Sequence, residues 1–143
     1  MAEIWKASIF ISIHANMAHN GFAHGIESFI LPAPGFPGTS ENVFPEEEQL
    51  PGNAFDGDNL LLADALHRPL IKETDAVDRG IKRERFAVLR DAPCPAVLLE
   101  LGFLSHPAER KKLLDPDYRT RLARAILTGI LAYQGSDEES GKP

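Results

Sequence analysis

Two residues with catalytic chemistry, a histidine and a glutamate, each follow an apolar segment of this chain. His14 comes directly after residues 8–13 (SIFISI), and Glu100 comes directly after residues 96–99 (AVLL). Both segments predict short strands, and the first predicts a strand buried on both faces, as in a parallel sheet. Ligands of open α/β sheets bind beyond the carboxyl ends of the strands. If the two strands are parallel, His14 and Glu100 meet at one sheet edge, where an imidazole can bind a metal and a carboxylate can transfer a proton.

Each of the two residues also has a structural interpretation. A lone histidine at the edge of a core is most often a packed residue with one satisfied ring nitrogen. A carboxylate at the end of an apolar strand costs free energy of folding unless it is paired, hydrated or used in chemistry. On the residues alone, a functional pair and two structural residues are about equally supported.

Five segments of the chain occur in a characteristic order: FISIHAN, GIESFIL, DRGIKRERFAVLR, PAVLLELGFLSHPAE and YRTRLARAILTGILAY. Together they resemble the zinc-dependent N-acetylmuramoyl-L-alanine amidases of the amidase-3 type, which are cell-wall hydrolases acting on peptidoglycan. The resemblance implies that His14 is a zinc ligand and that Glu100 is the catalytic carboxylate. Glu27 is also shared with the family, which implies either a supporting role behind the metal or the substrate, or a structural role. Arg79 is a candidate contact for the carboxylates of the substrate's stem peptide.

The chain departs from the family pattern before His14. Family members begin with a strand ending in Asp-x-Gly-His-Gly, followed by a glutamate ligand on the next helix, and neither is present here. We therefore expect the chain to correspond to the carboxyl-terminal two-thirds of an amidase domain, without the first strand–helix–strand segment. The other zinc ligands are expected upstream. Replacement of these ligands by His19 and His24 is disfavoured because their spacing matches no familiar site, and His67 and His106 are expected to be solvated surface residues.

Two functions remain open at this point. The first is a hydrolase that uses zinc-activated water to cleave the amide between N-acetylmuramic acid and L-alanine, with this chain alone expected to be inactive. The second is a truncated, non-catalytic remnant that keeps the fold and binds cell-wall peptides without metal. The intact protein is expected in the periplasm or the cell wall. Since no signal peptide is visible in residues 1–10, its export signal is expected upstream of this chain.

Composition limits the partners that this chain can have. The net charge of −6 and the absence of a compensating basic cluster argue against nucleic-acid binding. No apolar run approaches the length of a membrane span. Cys94 is the only cysteine, so no internal disulfide can form, and it is expected to be a small packing residue.

The expected fold is α/β, with a mixed or mainly parallel sheet flanked by helices. We predict strands over residues 8–13, 26–31, 86–89 and 96–99, and helices over residues 59–74, 107–114 and 116–134. Asp58 is the expected N-cap of the first helix, and Pro69 predicts a bend or an early end near Arg68.

The domain organisation follows from the same patterns. Residues 1–134 are expected to form the partial amidase domain, and residues 135–143 a disordered acidic tail. Residues 32–57 are rich in proline and glycine, which predicts either a mobile rim over the cleft or a solvated linker. With its natural neighbours missing, the strand at residues 8–13 is expected to leave an open edge and to favour self-association.

Overall fold

The computed structural model describes residues 6–40 and 50–140, with side chains described as far as residue 135. It confirms the mixed α/β class and contains these elements: β1 (Phe10–Asn16), β2 (Ile26–Ile30), α1 (Asp56–Thr74), β3 (Asp78–Arg83), α2 (Ala87–Arg90), β4 (Ala96–Phe103), α3 (Pro107–Leu114) and α4 (Pro116–Ser140). Within the described ranges, no helix is both long and apolar enough to cross a membrane.

The four strands form one mixed sheet in the order β1-β4-β2-β3. β1 runs parallel to β4 and β2 runs parallel to β3, whereas the central pair, β2 and β4, is antiparallel. The carboxyl ends of β1 and β4 therefore lie at the same end of the sheet as the amino ends of β2 and β3. We call this the His14 end, because His14 and Glu100 lie there.

The two faces of the sheet differ in what covers them. Successive side chains of a strand point to opposite faces. Val97 and Leu99 of β4 enter the main core, which α1 and α4 complete. Ala96 and Leu98 enter a smaller apolar cluster on the other face, which includes Leu89 at α2. Glu100 continues the second series, so its side chain lies on the face that the long helices leave uncovered.

β1 is an edge strand of the described sheet, as expected for residues 8–13, but it is not buried on both faces as its composition predicts. It pairs only with β4 among the described strands, and its residues are half-buried or exposed. Ile13 is 57% exposed. The isoleucine-rich composition predicts burial correctly only for a strand with neighbours on both sides, and among the described strands β1 has one.

The predicted strand over residues 86–89 is wrong. Phe86 begins a helical turn, because its carbonyl accepts hydrogen bonds from the N–H groups of Leu89 and Arg90 at 3.0 Å each. The strand in this part of the chain is β3 instead. Its sequence DRGIKR has no apolar pattern from which a strand could be predicted. The fold accommodates its charged side chains because Arg79, Lys82 and Arg83 form ion pairs with carboxylates of other elements.

The helix boundaries differ from the predictions at three points. α1 begins at Asp56 after Phe55, so Asp58 is not its N-cap, and the helix continues through Pro69 to Thr74 without an early end. The prediction for α3 is confirmed. α4 extends to Ser140, so the tail predicted at residues 135–143 is helical as far as Ser140, and residues 141–143 lie outside the described part.

The described ends of the segment 32–57 lie at the far end of the sheet from His14. Thr39 exchanges hydrogen bonds with Arg83, with its N–H donating to the Arg83 carbonyl at 2.7 Å. Gly35 donates to the carbonyl of Leu50 at 3.1 Å. These parts therefore do not border the His14 end. Residues 41–49, which include the run of three glutamates, lie outside the described residues.

Candidate active site

His14, Glu100 and Glu27 form a row across three adjacent strands. His14 of β1 is in register with Glu100 of β4, and Glu100 is in register with Glu27 of β2. Residues paired across a sheet project from the same face. The parallel pairing of β1 and β4 thus confirms that His14 and Glu100 meet at one end of the sheet, on the uncovered face.

Glu27 is a buried carboxylate with hydrogen bonds to both oxygens. Its Oε1 accepts from Nδ2 of Asn16 at 2.8 Å. Its Oε2 accepts from Nε of Arg79 at 2.8 Å and from Nζ of Lys82 at 2.5 Å. Burial disfavours the charged form, but the hydrogen bonds and charges of Lys82 and Arg79 outweigh it and lower the pKa of Glu27 below its ordinary value of 4.5. Glu27 is therefore ionised at neutral pH.

The environment of Glu100 favours the protonated carboxyl group, whereas that of Glu27 favours the carboxylate. Its Oε2 is buried and has no hydrogen-bond partner in the described part of the chain. Burial, and secondarily the negative charge of Glu27, raise the pKa of Glu100 to about 7. Two carboxyl groups in neighbouring strands thus have proton affinities pushed in opposite directions, a pattern typical of catalytic acid/base sites.

His14 is exposed at the carboxyl end of β1. Its Nε2 lies 2.8 Å from Oγ of Ser12, and the ring projects on the same face as Glu100. No group of three histidine, cysteine or carboxylate side chains within the described ranges is arranged to hold a metal ion. Since a catalytic zinc takes three protein ligands, His14 fits as one ligand but does not complete a site here, and His19 and His24 do not join it.

Arg79, the candidate contact for the stem peptide, is half-buried, with 32% of its side chain exposed. Besides its ion pair with Glu27, its guanidinium lies 4.9 Å from the centre of the Phe103 ring. The ion pair shows that Arg79 holds the carboxylate of Glu27 in place. Sequence reasoning did not select Asn16 or Lys82, the other two donors to Glu27, although both lie in segments that carry the family resemblance, FISIHAN and DRGIKRERFAVLR.

Glu109 of α3 accepts hydrogen bonds from two chain segments at the His14 end. Its Oε1 accepts from the N–H of Gly25 at 2.8 Å, and its Oε2 accepts from the N–H of Phe103 at 2.7 Å. A Cβ on Gly102, where φ is +136°, would lie 3.3 Å from the same carboxylate. The two hydrogen bonds of Glu109 thus connect the residue just before β2, the strand of Glu27, with the last residue of β4, the strand of Glu100.

The two other histidines differ from the predicted surface residues. His67 is only 5% exposed, and its two ring nitrogens each lie 2.8 Å from a partner, Oγ of Ser28 and Oδ1 of Asp78. His106 is half-buried and caps α3, accepting from the N–H of Glu109 at 3.3 Å. Neither residue reaches the row of His14, Glu100 and Glu27, because His67 lies in the main core and His106 is used at a helix start.

Comparison with known proteins relates this geometry to one family. The family model for N-acetylmuramoyl-L-alanine amidase, amidase-3, matches residues 1–132. An uncharacterized cell wall amidase of Bacillus anthracis is 41% identical over 90% of this chain and 21% of that protein. The sporulation-specific N-acetylmuramoyl-L-alanine amidase of Bacillus subtilis is 31% identical over 90% of this chain and 41% of that protein. The chain thus spans less than half the length of either relative.

Solved structures show the same relationship. The catalytic domain of CwlV, an N-acetylmuramoyl-L-alanine amidase from Bacillus (Paenibacillus) polymyxa var. colistinus, is 30% identical with a TM-score of 0.73. The N-acetylmuramoyl-L-alanine amidase of Clostridium difficile 630 is 32% identical with a TM-score of 0.75. In both comparisons the match covers 94% of this chain and 62% of the solved chain. This chain belongs to the amidase-3 family of N-acetylmuramoyl-L-alanine amidases.

Proposed function

We propose that this chain forms the greater part of the catalytic domain of a peptidoglycan amidase, which hydrolyses the amide between N-acetylmuramic acid and L-alanine. The observation that carries the proposal is the register of His14 with Glu100, in which a metal-binding side chain lies beside a carboxyl group with a free, buried oxygen. Membership of the amidase-3 family supports the substrate class. The name of the Bacillus anthracis relative, a cell wall amidase, supports a location at the cell wall.

We infer that the metal is zinc and that His14 supplies one of its ligands. The remaining ligands would come from the part of the amidase fold that this chain does not span, which is 38% of the solved domains by length, the complement of the 62% that is covered. When bound, zinc supplies a Lewis acid that activates water and polarises the substrate carbonyl.

Glu100 is the group that moves the proton. The free oxygen of its carboxylate accepts the proton of the attacking water, and the protonated acid then donates it to the leaving amine. A pKa of about 7 suits both steps, since the group can take up and release a proton near neutral pH. Glu27 stays ionised on its cations and contributes negative charge beside Glu100, while Arg79 and Lys82 hold it in place.

A chimera tests this assignment directly. The amino-terminal part of a solved relative's catalytic domain, up to the residue aligned with Ser8, is joined to residues 8–143 and assayed on a muramoyl-peptide substrate. We expect release of L-alanine-linked peptide, and a loss of about 10²–10⁴-fold in kcat for Glu100→Gln with zinc still bound. Glu73→Gln, at an exposed position of α1, is the matched control. Near-normal turnover by Glu100→Gln would remove Glu100 from the mechanism.

The 143-residue chain alone gives a second test. We expect it to purify with well below one zinc per chain and to be inactive, because one imidazole cannot hold the metal tightly. Stoichiometric zinc that is lost on His14→Ala would show that the chain completes its own site. A stable, zinc-free and inactive chimera that still binds cell-wall peptides would favour the non-catalytic alternative.

A further inference from the structure

β3 contains an extra residue at the point where it passes Glu27. From Ile26 to Ser28, β2 advances by two residues, whereas the paired part of β3 advances by three. Glu27 therefore lies opposite two residues of β3, Arg79 and Gly80. This arrangement is a β-bulge, a feature that redirects side chains and occurs often beside active sites.

The bulge decides which face of the sheet the cations of β3 occupy. Side chains of a regular strand alternate between the two faces, so residues three positions apart point to opposite faces. Arg79 and Lys82 are three positions apart, yet both donate to Oε2 of Glu27, at 2.8 Å and 2.5 Å. Because Gly80 is the extra residue, both cations lie on the face of Glu27. In this sequence, Glu27 has two charged partners only if the bulge is present.

Asp78 holds the backbone of the bulge. Its Oδ1 accepts from the N–H of Gly80 at 2.7 Å, and Gly80 has a φ of +83°, in the left-handed region that favours glycine. The same Oδ1 accepts from Nε2 of His67 at 2.8 Å. The hydrogen bond from His67 is the largest influence on the pKa of Asp78, and the pKa is lowered below its ordinary value of 3.8. Asp78 is therefore ionised at neutral pH and accepts both hydrogen bonds.

His67 of α1 connects the bulge to β2. Its ring is buried, and its Nδ1 lies 2.8 Å from Oγ of Ser28, the residue that follows Glu27. The imidazole thus bridges β2 and β3 on the face that α1 covers. The ion pair of Glu27 with Arg79 joins the same two strands on the opposite face. The contacts of His67 therefore lie directly behind the charged network of Glu27.

We propose that the chain of Ser28, His67 and Asp78 positions the acid/base site, because it holds the bulge that brings two cations to Glu27. The three residues act through Glu27, which they keep as a fixed anion beside Glu100, and they do not contact the reacting groups. Their consequence for catalysis rests on the proposed function, in which Glu100 moves the proton. Their effect on Glu27 does not depend on that function.

The first test follows the pKa of Glu27 by NMR of its side-chain carboxyl carbon in the 143-residue chain. Asp78→Ala removes the acceptor of Gly80 and His67, and little packing is lost because the Asp78 side chain is 56% exposed. We expect the pKa of Glu27 to rise, since its burial remains while the cations move away. Removal of the Asp78 charge alone would lower that pKa. The sign of the shift therefore separates displaced cations from a direct charge effect.

Three further variants make this titration specific. Asp78→Asn keeps an oxygen that accepts both hydrogen bonds, so the pKa of Glu27 should stay at or below its wild-type value. His67→Leu removes the bridge and should raise the pKa as Asp78→Ala does. Asn59→Ala is the control for a loss of stability, because it deprives the buried N–H of Ala96 of its acceptor at the start of β4. It should leave the pKa of Glu27 unchanged. An unchanged or lowered pKa in both Asp78→Ala and His67→Leu would overturn the proposal.

The second test measures hydrolysis by the chimera described above. Asp78→Ala and His67→Leu are expected to lower kcat by about 10–100-fold with KM unchanged, whereas Asp78→Asn should stay near the wild type. A raised pKa of Glu27 with an unchanged kcat would overturn the role in catalysis. An inactive wild-type chimera would overturn the proposed function and the role in catalysis with it. The titration of Glu27 would still decide whether the chain of Ser28, His67 and Asp78 holds the bulge.

Discussion

Pro69 of α1 and Gly129 of α4 meet at a single backbone group, the carbonyl of Ala65. Proline has no N–H, so residue 69 cannot donate to the carbonyl four residues earlier, that of Ala65. At this point α4 comes so close that a Cβ on Gly129 would lie 2.6 Å from that carbonyl oxygen and 2.7 Å from Cα of Leu66. The carbonyl that Pro69 leaves without its usual helical donor therefore lies where the two helices approach each other closely.

The first prediction concerns Gly129→Ala. The added methyl would meet backbone atoms that cannot rotate away, so α4 must move from α1, and we expect a loss of about 2–3 kcal/mol in the free energy of unfolding. Gly135→Ala is the matched control, because it lies in the same helix with no atom near its Cβ. That substitution should be neutral or stabilise by up to about 1 kcal/mol. Equal effects in urea denaturation would contradict the close helix contact.

The second prediction concerns Glu27→Gln. The substitution leaves Arg79 and Lys82 facing a neutral amide in a buried site, and we expect a loss of about 3–5 kcal/mol in stability at pH 7. The pKa of Glu27 is lowered in the fold, so its contribution is present above its ordinary value of 4.5 and is lost as the pH falls. The wild-type advantage over Glu27→Gln should therefore shrink in acid.

Asp64→Asn is the control for Glu27→Gln. It breaks an ion pair of Asp64 with Arg68 in which both side chains are exposed, 46% and 79% respectively. Such pairs contribute roughly 0–1 kcal/mol. A loss at Glu27 no larger than that at Asp64 would show that the buried network contributes little to stability.

The third prediction concerns the pH dependence of stability caused by Glu100. The pKa of Glu100 rises from 4.5 to about 7 on folding, so the folded chain binds more protons than the unfolded chain between these values. The stabilising protonated form is complete below pH 4.5 and is lost as the pH rises to about 7. Glu100→Gln should remove this dependence and stabilise the metal-free chain by about 1–3 kcal/mol at pH 8.

Thermal denaturation of Glu100→Gln and the wild type from pH 4 to pH 8 checks this sign. The two curves should converge in acid and separate above neutral pH. Glu73→Gln should follow the wild type throughout. A wild-type chain that gains stability relative to Glu100→Gln as the pH rises would show that Glu100 is paired with a cation in solution.

The fourth prediction concerns the buried chain of Ser28, His67 and Asp78. His67→Leu leaves the Ser28 hydroxyl without its partner in a fully buried position, and we expect a cost of about 1–3 kcal/mol. In the double variant with Ser28→Ala the unpaired hydroxyl is gone, so part of this loss should be recovered. A coupling energy of about 0.5 kcal/mol or more in this cycle would confirm the contact. His19→Leu, at an exposed site, should stay within about 0.5 kcal/mol of the wild type.

Much of the fold and the central pair of the site could be predicted from the sequence. Apolar runs located β1, β2 and the first half of β4, and the helix-start patterns gave α3 and the start of α4. The positions of His14 and Glu100 after two such runs correctly predicted that they meet, because parallel strands bring their carboxyl ends to one edge. The family resemblance was readable for the same reason, since its motifs lie in these segments.

Only the tertiary structure decided which side chains are buried or exposed and which partners they have. β3 was missed because its charges are neutralised by Glu27 and Asp56, which are distant in sequence. The burial of His67 depends on Ser28 and Asp78, which are likewise far from it in sequence. The exposure of β1 follows from its position at the edge of the described sheet, where it pairs with β4 on one side. In each case the deciding quantity is a long-range contact or its lack, and local composition carries no information about that.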